Sequence, residues 1–176
     1  MEVKFKKLSD KAVLPSKAHS TDAGLDLTCV NITSEVNECG QFVLVYHTGI
    51  AAEIPVGHVG LLFQRSSVYK KSLTLTNAVG VIDSGYRGEI LLKFKNTSGD
   101  SIPAVYSIGD RIAQLVIMPY PEIEPVFADN LSESERGEGG YGSSDNKDIS
   151  ADTGSQNTET EPDQAAEPTN GSESDK

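Results

Sequence analysis

Two stretches of the sequence carry the hydrogen-bond donors that phosphate oxygens require. Arg65-Ser66-Ser67 ends an apolar, strand-like run, where backbone amides and hydroxyl groups suit phosphate oxygens. Residues 136–144, Arg-Gly-Glu-Gly-Gly-Tyr-Gly-Ser-Ser, add an arginine to glycines whose amides can approach a phosphate without a Cβ atom. Each stretch also has a plainer interpretation, as an ordinary strand exit and as a flexible linker. On their own they allow, but do not require, a small phosphate ligand.

A third stretch, residues 78–95, places a carboxylate and an aromatic ring three residues apart. The apolar run 79–82 ends in Asp83, a Ser-Gly turn follows, and Tyr86 comes next. The following residues alternate with period two, which predicts a β-hairpin with Asp83 and Tyr86 at its tip. One face of its second strand would carry Ile90, Leu92 and Phe94, and the other Glu89, Lys93 and Lys95 with Leu91. Asp-Ser-Gly is also common turn chemistry, so an ordinary turn remains open on these residues alone.

The elements that position these stretches are predicted to be strands. Apolar runs arrive every 8–15 residues and are separated by Gly, Pro, Asn and Asp turns, with no amphipathic helix of ten residues. The one helical candidate is 66–72, where Ser66 could act as the N-cap. Residues 112–118 are almost wholly apolar and predict a central strand. This pattern indicates an all-β barrel or sandwich and excludes an α/β fold, which needs crossover helices.

Composition separates the end of the chain from the rest. The chain has 176 residues and a net charge of −11, and residues 146–176 carry −6 of it, from two lysines and eight acids. We expect this tail to be disordered, because it has almost no bulky apolar side chain. The acidic balance argues against nucleic acid as a partner. With two cysteines lacking metal-site spacing and no signal-like or membrane-spanning run, we expect a cytoplasmic protein with free thiols and no membrane partner.

Five stretches taken in order resemble the motifs of the trimeric deoxyuridine triphosphatases (dUTPases). They are Ala23-Gly-Leu-Asp-Leu, Arg65-Ser-Ser, Gly80-Val-Ile-Asp-Ser-Gly-Tyr-Arg-Gly, Gly109-Asp-Arg-Ile-Ala-Gln and residues 136–144. The resemblance covers residues 1 to about 145. It implies a jelly-roll-like distorted β-barrel of the β-clip type over residues 1–130 and a flexible glycine-rich arm over 131–145 that closes over the active site. Residues 146–176 remain as the disordered acidic tail.

The resemblance also implies an activity. It predicts that water attacks the α-phosphorus of dUTP, with Mg²⁺, to give dUMP and diphosphate, in a homotrimer with sites shared between subunits. Such an enzyme limits uracil incorporation into DNA and supplies dUMP for thymidylate synthesis.

Roles for individual residues follow from the same resemblance. Asp83 would be the general base, and Tyr86 would pack on the deoxyribose and exclude a 2′-hydroxyl. Asp26 would hold water molecules of a Mg²⁺ that is bound mainly by the triphosphate. The remaining expected substrate contacts divide into the uracil-reading segment and the phosphate ligands. The uracil-reading segment is Asn77, Ala78 and Val79, with Tyr141 stacked on the base. The phosphate ligands are Arg65, Ser66, Ser67, Gln114, Arg136, Ser143 and Ser144.

Four positions depart from the usual family pattern. Tyr141 stands where the family usually has Phe, which keeps the stacking face. Ser67 and Gly85 replace the frequent Gly and Asp. Asp145 replaces the usual closing Gly and bears on how tightly the arm closes. Ser67 could crowd a phosphate-binding amide or add a donor, and the sequence leaves both open.

Two alternatives to a dUTPase share features of this sequence. The dCTP deaminases share the Arg-Ser-Ser and Ile-Asp-x-Gly patterns but carry a Glu base in a Leu-Glu-Phe context, where this chain has Leu92-Lys93-Phe94. A lysine takes a proton from water only if its pKa falls far below the usual value. The second alternative is a β-barrel that binds a nucleotide or a protein without catalysis. This alternative is disfavoured by the joint presence of Asp83, Tyr86, Gln114 and Arg136.

Overall fold

The computed structural model describes residues 1–98 and 104–140. In this part the chain forms ten β-strands and one short 3₁₀ helix, and the described residues include no α-helix, so the all-β prediction is confirmed. The strands are β1 (Lys4–Lys7), β2 (Leu25–Thr28), β3 (Asn31–Val36), β4 (Phe42–His47), β5 (Ile50–Glu53), β6 (His58–Gln64), β7 (Leu73–Leu75), β8 (Gly80–Ile82), β9 (Leu91–Asn96) and β10 (Arg111–Pro119), and the 3₁₀ helix is Ser66–Lys70.

The strands form two four-stranded sheets and one two-stranded sheet, all antiparallel. The first large sheet has the order β2-β10-β6-β8, the second β3-β4-β9-β7, and β1 pairs with β5. The many crossovers between non-consecutive strands give a jelly-roll-like β fold, as predicted. β10 lies inside its sheet between β2 and β6, which confirms the central strand predicted at 112–118.

All ten strands lie in one compact unit, Met1–Pro125, and a second unit begins at Val126. The bulky apolar pair Val126-Phe127 is the last in the sequence and predicts Phe127 as the last aromatic residue of the core, but Phe127 is fully exposed, so this prediction is wrong. A single aromatic in a stretch rich in Pro and Glu gives no alternation that would show which face is buried. The boundaries at 130 and 145 remain predictions, and the tail lies outside the described residues.

The core forms where apolar faces of the strands meet. On β9 the predicted alternation is confirmed, because Leu92 and Phe94 are fully buried while Lys93 and Lys95 are exposed. The Phe94 ring makes an edge-on contact with Tyr46, with centroids 5.5 Å apart. Burial of each such side chain contributes about 1.5–3 kcal/mol, so these faces supply much of the driving force for folding.

The predicted hairpin over residues 78–95 is wrong. β8 pairs with β6 in the first large sheet, whereas β9 pairs with β4 and β7 in the second. Residues 83–90 therefore cross from one sheet to the other. Alternation shows which face of a strand is buried but not which strand lies beside it, so the sequence pattern could not reveal this change of sheet.

Two local predictions also need correction. The helical candidate at 66–72 is a 3₁₀ helix of five residues, and its N-cap is Arg65, which is extended and makes no side-chain cap hydrogen bond. The largely apolar run Leu25–Val30 predicts one strand, but the chain leaves regular structure after Thr28, and β3 begins at Asn31. The prediction of two free thiols is confirmed, with Cys29 buried and Cys39 exposed. Burial raises the pKa of Cys29 to about 11.

Candidate functional site

A polar pocket of about 360 Å³ lies where β2, β6 and β10 meet. In the strand register Gln114 of β10 stands opposite Asp26 of β2 and Phe63 of β6, which brings three of the five sequence stretches to one place. We call it the Asp26 pocket. Its lining residues are Ala18, Asp22, Ala23, Gly24, Asp26, Arg65, Ser66, Gln114 and Val116.

The Asp26 carboxylate holds two arginine side chains. Arg65 Nε donates to Oδ1 and Arg111 Nη1 donates to Oδ2, both at 2.9 Å, and only 13% of the Asp26 side chain is exposed. Charge-assisted hydrogen bonds of this length are among the strongest in proteins. Sequence reasoning gave Arg111 no role, although it lies within the quoted Gly109-Asp-Arg stretch. Its position as the first residue of β10, beside Asp26 on β2, became visible only with the strand pairing.

Gln114 is fixed at the pocket wall by close packing. Its Nε2 donates to the carbonyl oxygen of Gln64 at 3.3 Å. A Cβ atom at Gly24 would stand 2.9 Å from Gln114 Oε1, so a side chain at position 24 would displace the amide. This explains the glycine in Ala23-Gly-Leu-Asp-Leu, which sequence reasoning left without a role. The amide oxygen and nitrogen of Gln114 are held at defined places beside Asp26.

The two serines of Arg65-Ser-Ser border different pockets. Ser66 lines the Asp26 pocket, and Ser67 lines a second pocket of about 340 Å³ together with Tyr106 and Asp110. The Tyr106 hydroxyl is buried and has no hydrogen-bond partner within the part of the chain that the structure describes. Burial raises the pKa of this phenol. Ser66 and Ser67 therefore line two different pockets although they are neighbours in the chain.

Asp110 shapes the turn before β10. Its Oδ2 accepts a hydrogen bond from the amide of Ser107 at 2.8 Å, and Gly109 has a φ of +93°, which favours glycine. The turn therefore starts β10 at Arg111, which places that guanidinium beside Asp26.

Residues 83–90, here called the Asp83 loop, carry the predicted base and the aromatic ring. The Tyr86 amide donates to the carbonyl oxygen of Asp83 at 3.0 Å, which closes the turn. The Tyr86 hydroxyl donates to the carbonyl oxygen of Glu89 at 3.0 Å, so the ring folds back over Gly88. Asp83 is exposed. Its carboxylate is therefore open to a ligand that approaches from outside the chain.

Asn77, Ala78 and Val79 form a tight turn just before β8. Ala78 has a φ of +57°, a conformation that residues other than glycine rarely adopt, and the Val79 amide donates to the carbonyl oxygen of Asn77 at 2.6 Å. Backbone strain of this kind is concentrated at functional sites. All three residues are wholly or partly exposed, so polar groups of this turn are presented at the surface.

Asp83 and the Asp26 pocket lie at opposite ends of β6. Gly60 stands opposite Ile82 in the antiparallel register, which places Asp83 level with Val59, whereas Arg65 follows the other end of the strand. Six residues at roughly 3.3 Å each separate the two levels by about 20 Å. Within the described residues of the first unit, one chain therefore does not bring Asp83 next to Arg65, the arginine that lines the Asp26 pocket.

Arg136 belongs to the second unit. Its Nε donates to the carbonyl oxygen of Gly139 at 2.7 Å, and Gly137 has a φ of +54°. The segment thus forms a glycine-dependent turn around the arginine side chain. Tyr141, Ser143, Ser144 and Asp145 lie outside the described residues.

Two features of the described residues bear on cofactors and membranes. In residues 1–98 and 104–140, no three or more His, Cys, Asp or Glu side chains are grouped so that they could hold a metal ion. Nor does this part of the chain contain a helix long and apolar enough to span a membrane.

Comparison with known proteins gives the same family at the level of sequence and of structure. The dUTPase family model matches residues 10–145. A deoxyuridine 5'-triphosphate nucleotidohydrolase of Gloeobacter violaceus is 39% identical over 145 residues, which cover 82% of this chain and 97% of that protein. One from Rhodococcus erythropolis is 43% identical over 150 residues, covering 82% and 86%.

Solved structures with this fold include two phage enzymes. A dUTPase variant of a Staphylococcus bacteriophage, 80alpha, solved with dUpNHpp, superposes with a TM-score of 0.68 at 32% identity and covers 81% of this chain and 98% of that one. A dUTPase variant from a phage of S. aureus, phi11, superposes with a TM-score of 0.61 at 28% identity, covers 74% and 98%, and coordinates a structural Mg(II) ion.

Proposed function

The chain belongs to the dUTPase family and hydrolyses dUTP to dUMP and diphosphate, and we propose that its Asp26 pocket binds the phosphate chain while Asp83 comes from another copy. The observation that carries this proposal is the separation of about 20 Å between Asp83 and Arg65 along β6. A base must come within hydrogen-bond reach of the water that it activates. Sharing the site between copies removes the separation, and because the chain resembles the trimeric dUTPases, we propose a homotrimer with three such sites.

Phosphate binding is proposed for one side of the site. Arg65, Ser66 and Gln114 line the Asp26 pocket and supply a cation, a hydroxyl group and an amide. The Asp26 carboxylate holds Arg65 by a 2.9 Å ion pair, so that its guanidinium needs little reorganisation when charge develops on the phosphate. Ser67 lines the neighbouring pocket and contributes through its backbone amide.

Water activation is proposed for Asp83. The carboxylate takes the proton as the water oxygen attacks the α-phosphorus, and diphosphate leaves from the opposite side. General-base catalysis contributes about 10²–10⁴-fold. We therefore expect Asp83→Asn to bind dUTP like the parent while turnover falls by that factor. Parental turnover would remove Asp83 from this role.

Selection of base and sugar is proposed for the Asp83 loop and the turn before β8. The Tyr86 ring, held by its hydrogen bond to Glu89, packs against the deoxyribose and leaves no room for a 2′-hydroxyl. Main-chain groups near Ala78 and Val79 pair with the uracil edge, and the Asn77 side chain adds a further contact. A hydrogen-bonding edge built for one base can reject another by about 10⁴-fold or more.

Magnesium is proposed as the cofactor, held mainly by the triphosphate. Asp22 and Asp26 both line the pocket, but hydrogen bonds already engage them: Asp26 with its two arginines, and Asp22 with the His19 amide at 2.8 Å, which lowers the pKa of the Asp22 carboxyl. This donor set fits an ion that keeps its water molecules and touches the protein through them. When bound, Mg²⁺ would neutralise charge on the phosphate oxygens.

The glycine-rich arm is proposed to close over the substrate. Arg136, Ser143 and Ser144 would contact the β- and γ-phosphates and Tyr141 would stack on the uracil, within an arm at 131–145 that joins the barrel at 1–130 to the acidic tail at 146–176. Removal of residues 146–176 should leave turnover within a few fold. Removal of residues 136–176 should abolish most of it, because a charge-stabilising arginine can be worth about 10³-fold in phosphoryl transfer. Equal activity of the two truncations would show that the arm is only a linker.

The deaminase alternative loses support from the surroundings of Lys93. Its Nζ pairs with Glu35 Oε1 at 2.6 Å, and both side chains are exposed on the outer face of the second large sheet. An ammonium group that pairs with a carboxylate offers three donors and no acceptor, so it has no lone pair with which to take a proton from water. Incubation with Mg²⁺ and dUTP or dCTP distinguishes the activities, since a dUTPase releases diphosphate from dUTP and a deaminase releases ammonia from dCTP. If neither diphosphate nor ammonia is released, the result supports the β-barrel that binds a ligand without catalysis.

Mixing two variants of low activity tests the shared site. Asp83→Asn removes the base and Gln114→Ala removes a phosphate contact, and the two are refolded together in equal amounts. If each site takes its pocket from one copy and its base from another, random assembly restores about a quarter of the sites. A site formed within one chain would give no recovery, and light scattering that reports an active monomer would refute the trimer.

A cytoplasmic location is proposed for the enzyme. Both thiols are free, which suits a reducing compartment.

A further inference from the structure

We propose that Glu89 is a positioning residue, which acts with His47 and Thr33 as a clasp that holds the Asp83 loop in its working geometry. This inference rests on the proposed roles of Asp83 and Tyr86. Its basis is a continuous set of hydrogen bonds that joins the end of the loop to the second large sheet and to the chain between β4 and β5.

The Glu89 carboxylate uses both of its oxygens. Oε1 accepts a hydrogen bond from the Gly49 amide at 2.7 Å, and Oε2 lies 3.2 Å from His47 Nδ1. Only a quarter of the Glu89 side chain and a quarter of the His47 side chain are exposed. Partial burial limits competition from water, so these contacts hold Glu89 more firmly than a surface ion pair would.

The histidine extends the chain of hydrogen bonds to β3. The carboxylate can only accept, so His47 Nδ1 is the donor, and in the neutral ring Nε2 is then the acceptor. The Thr33 hydroxyl lies 2.9 Å from Nε2 and, because a hydroxyl group can donate or accept, it is a partner for that nitrogen in either role. Every polar group of the clasp has a partner, and Thr33, His47 and Glu89 lie on or beside three different strands.

Glu89 transmits this anchoring to the loop through its main chain. Its carbonyl oxygen accepts the Tyr86 hydroxyl at 3.0 Å, so the residue held by the clasp also holds the ring. The next residue, Ile90, is tied down as well, because its amide donates to Ile50 and its carbonyl oxygen accepts the Thr48 hydroxyl at 2.7 Å. The C-terminal end of the loop is therefore fixed, and Asp83 and Tyr86 are placed relative to it.

Three variants separate positioning from a merely structural contact. Glu89→Ala removes both acceptors. Glu89→Gln keeps an acceptor for the Gly49 amide, and its NH₂ group can donate to His47 after the ring changes tautomer. Glu35→Ala is the matched control, since it removes an exposed carboxylate that pairs with Lys93 on the same sheet but has no link to the loop.

The first readout is kinetic. For Glu89→Ala we expect kcat/KM with dUTP to fall by about tenfold or more, because small displacements of reacting groups are costly, and the preference for dUTP over UTP to fall by a similar factor. Glu89→Gln should stay within about threefold of the parent, and Glu35→Ala should match it. Equal losses in the Ala and Gln variants at position 89 would overturn the hydrogen-bond arrangement.

The second readout is amide hydrogen exchange of the protein without substrate. Faster exchange over residues 83–90 in Glu89→Ala, but not in Glu89→Gln, is the expected result. A lower melting temperature with parental exchange in the loop and parental selectivity would overturn the proposal and leave Glu89 a structural residue. If Glu89→Ala does not fold, His47→Ala removes one of the two contacts of the Glu89 carboxylate and is measured in the same way. Parental amide exchange over residues 83–90 in that variant would overturn the proposal.

The two readouts also separate this inference from the proposed function. A parent enzyme that hydrolyses UTP as well as dUTP would refute the sugar-selecting role of Tyr86. Loop exchange in the protein without substrate does not depend on that role and would still decide whether Glu89 holds the loop.

Discussion

Gly88→Ala should damage sugar selection by moving the Tyr86 ring. A Cβ atom at position 88 would lie 2.6 Å from Cζ and 2.9 Å from Cε2 of Tyr86. Carbon atoms pack best at about 3.5–4.0 Å, so the ring must move by about 1 Å. That shift also breaks the 3.0 Å hydrogen bond from the Tyr86 hydroxyl to Glu89. The surface proposed to exclude a 2′-hydroxyl would no longer be in place.

The expected magnitude follows from the cost of a displacement of this size. A misplacement of about 1 Å can reduce the rate by about 10²-fold, and an apolar wall rejects an added hydroxyl group by a similar factor. We therefore expect kcat/KM for dUTP to fall by up to about 10²-fold, with a smaller effect on UTP, so that the dUTP/UTP ratio moves towards one. Steady-state kinetics with both nucleotides measure this ratio of kcat/KM values.

Gly85→Ala is the matched control within the same loop. A Cβ atom there would have nothing within 4 Å, and Gly85 does not have the positive φ that would strain an alanine. We expect parental kinetics and parental selectivity from this variant. If Gly88→Ala keeps the parental dUTP/UTP ratio, or if Gly85→Ala loses it equally, the argument from the position of the Tyr86 ring is refuted.

Three further predictions follow from the barrel. Asp26→Asn loses one of two charge-assisted hydrogen bonds and weakens the other, so the free energy of unfolding in urea should fall by about 2–3 kcal/mol. Glu53→Gln changes an exposed ion pair and should cost less than about 1 kcal/mol. Equal costs for the two variants would contradict the buried geometry of Asp26. Gly24→Ala should displace the Gln114 amide and reduce kcat/KM with little change in stability, which kinetics and melting curves would separate. At pH 8 a thiol with a pKa of about 11 is only about 0.1% thiolate, so iodoacetamide should modify Cys39 in the native protein and Cys29 only after unfolding, as mass spectrometry would show.

The sequence by itself determined the class of fold and the type of residue at the site. Alternation of apolar and polar residues identified the buried face of β9, and an almost unbroken apolar run identified the central strand β10, because apolar side chains on a strand mark the faces that it buries. The five ordered stretches identified the family, which the match over residues 10–145 confirms. These features depend on residues close together in the chain, so they can be read without knowing the fold.

Only the tertiary structure decided which of these residues meet. The carboxylate of Asp26 holds Arg111, which lies 85 residues away in the sequence, because β2 and β10 are neighbours in one sheet. The strands on either side of the Asp83 loop belong to different sheets, which the periodic pattern could not show. The position of Asp83 at the far end of β6 from Arg65 follows from strand register. Period-two alternation encodes the face of a strand but neither its partner nor its register, and those are settled by long-range pairing and packing.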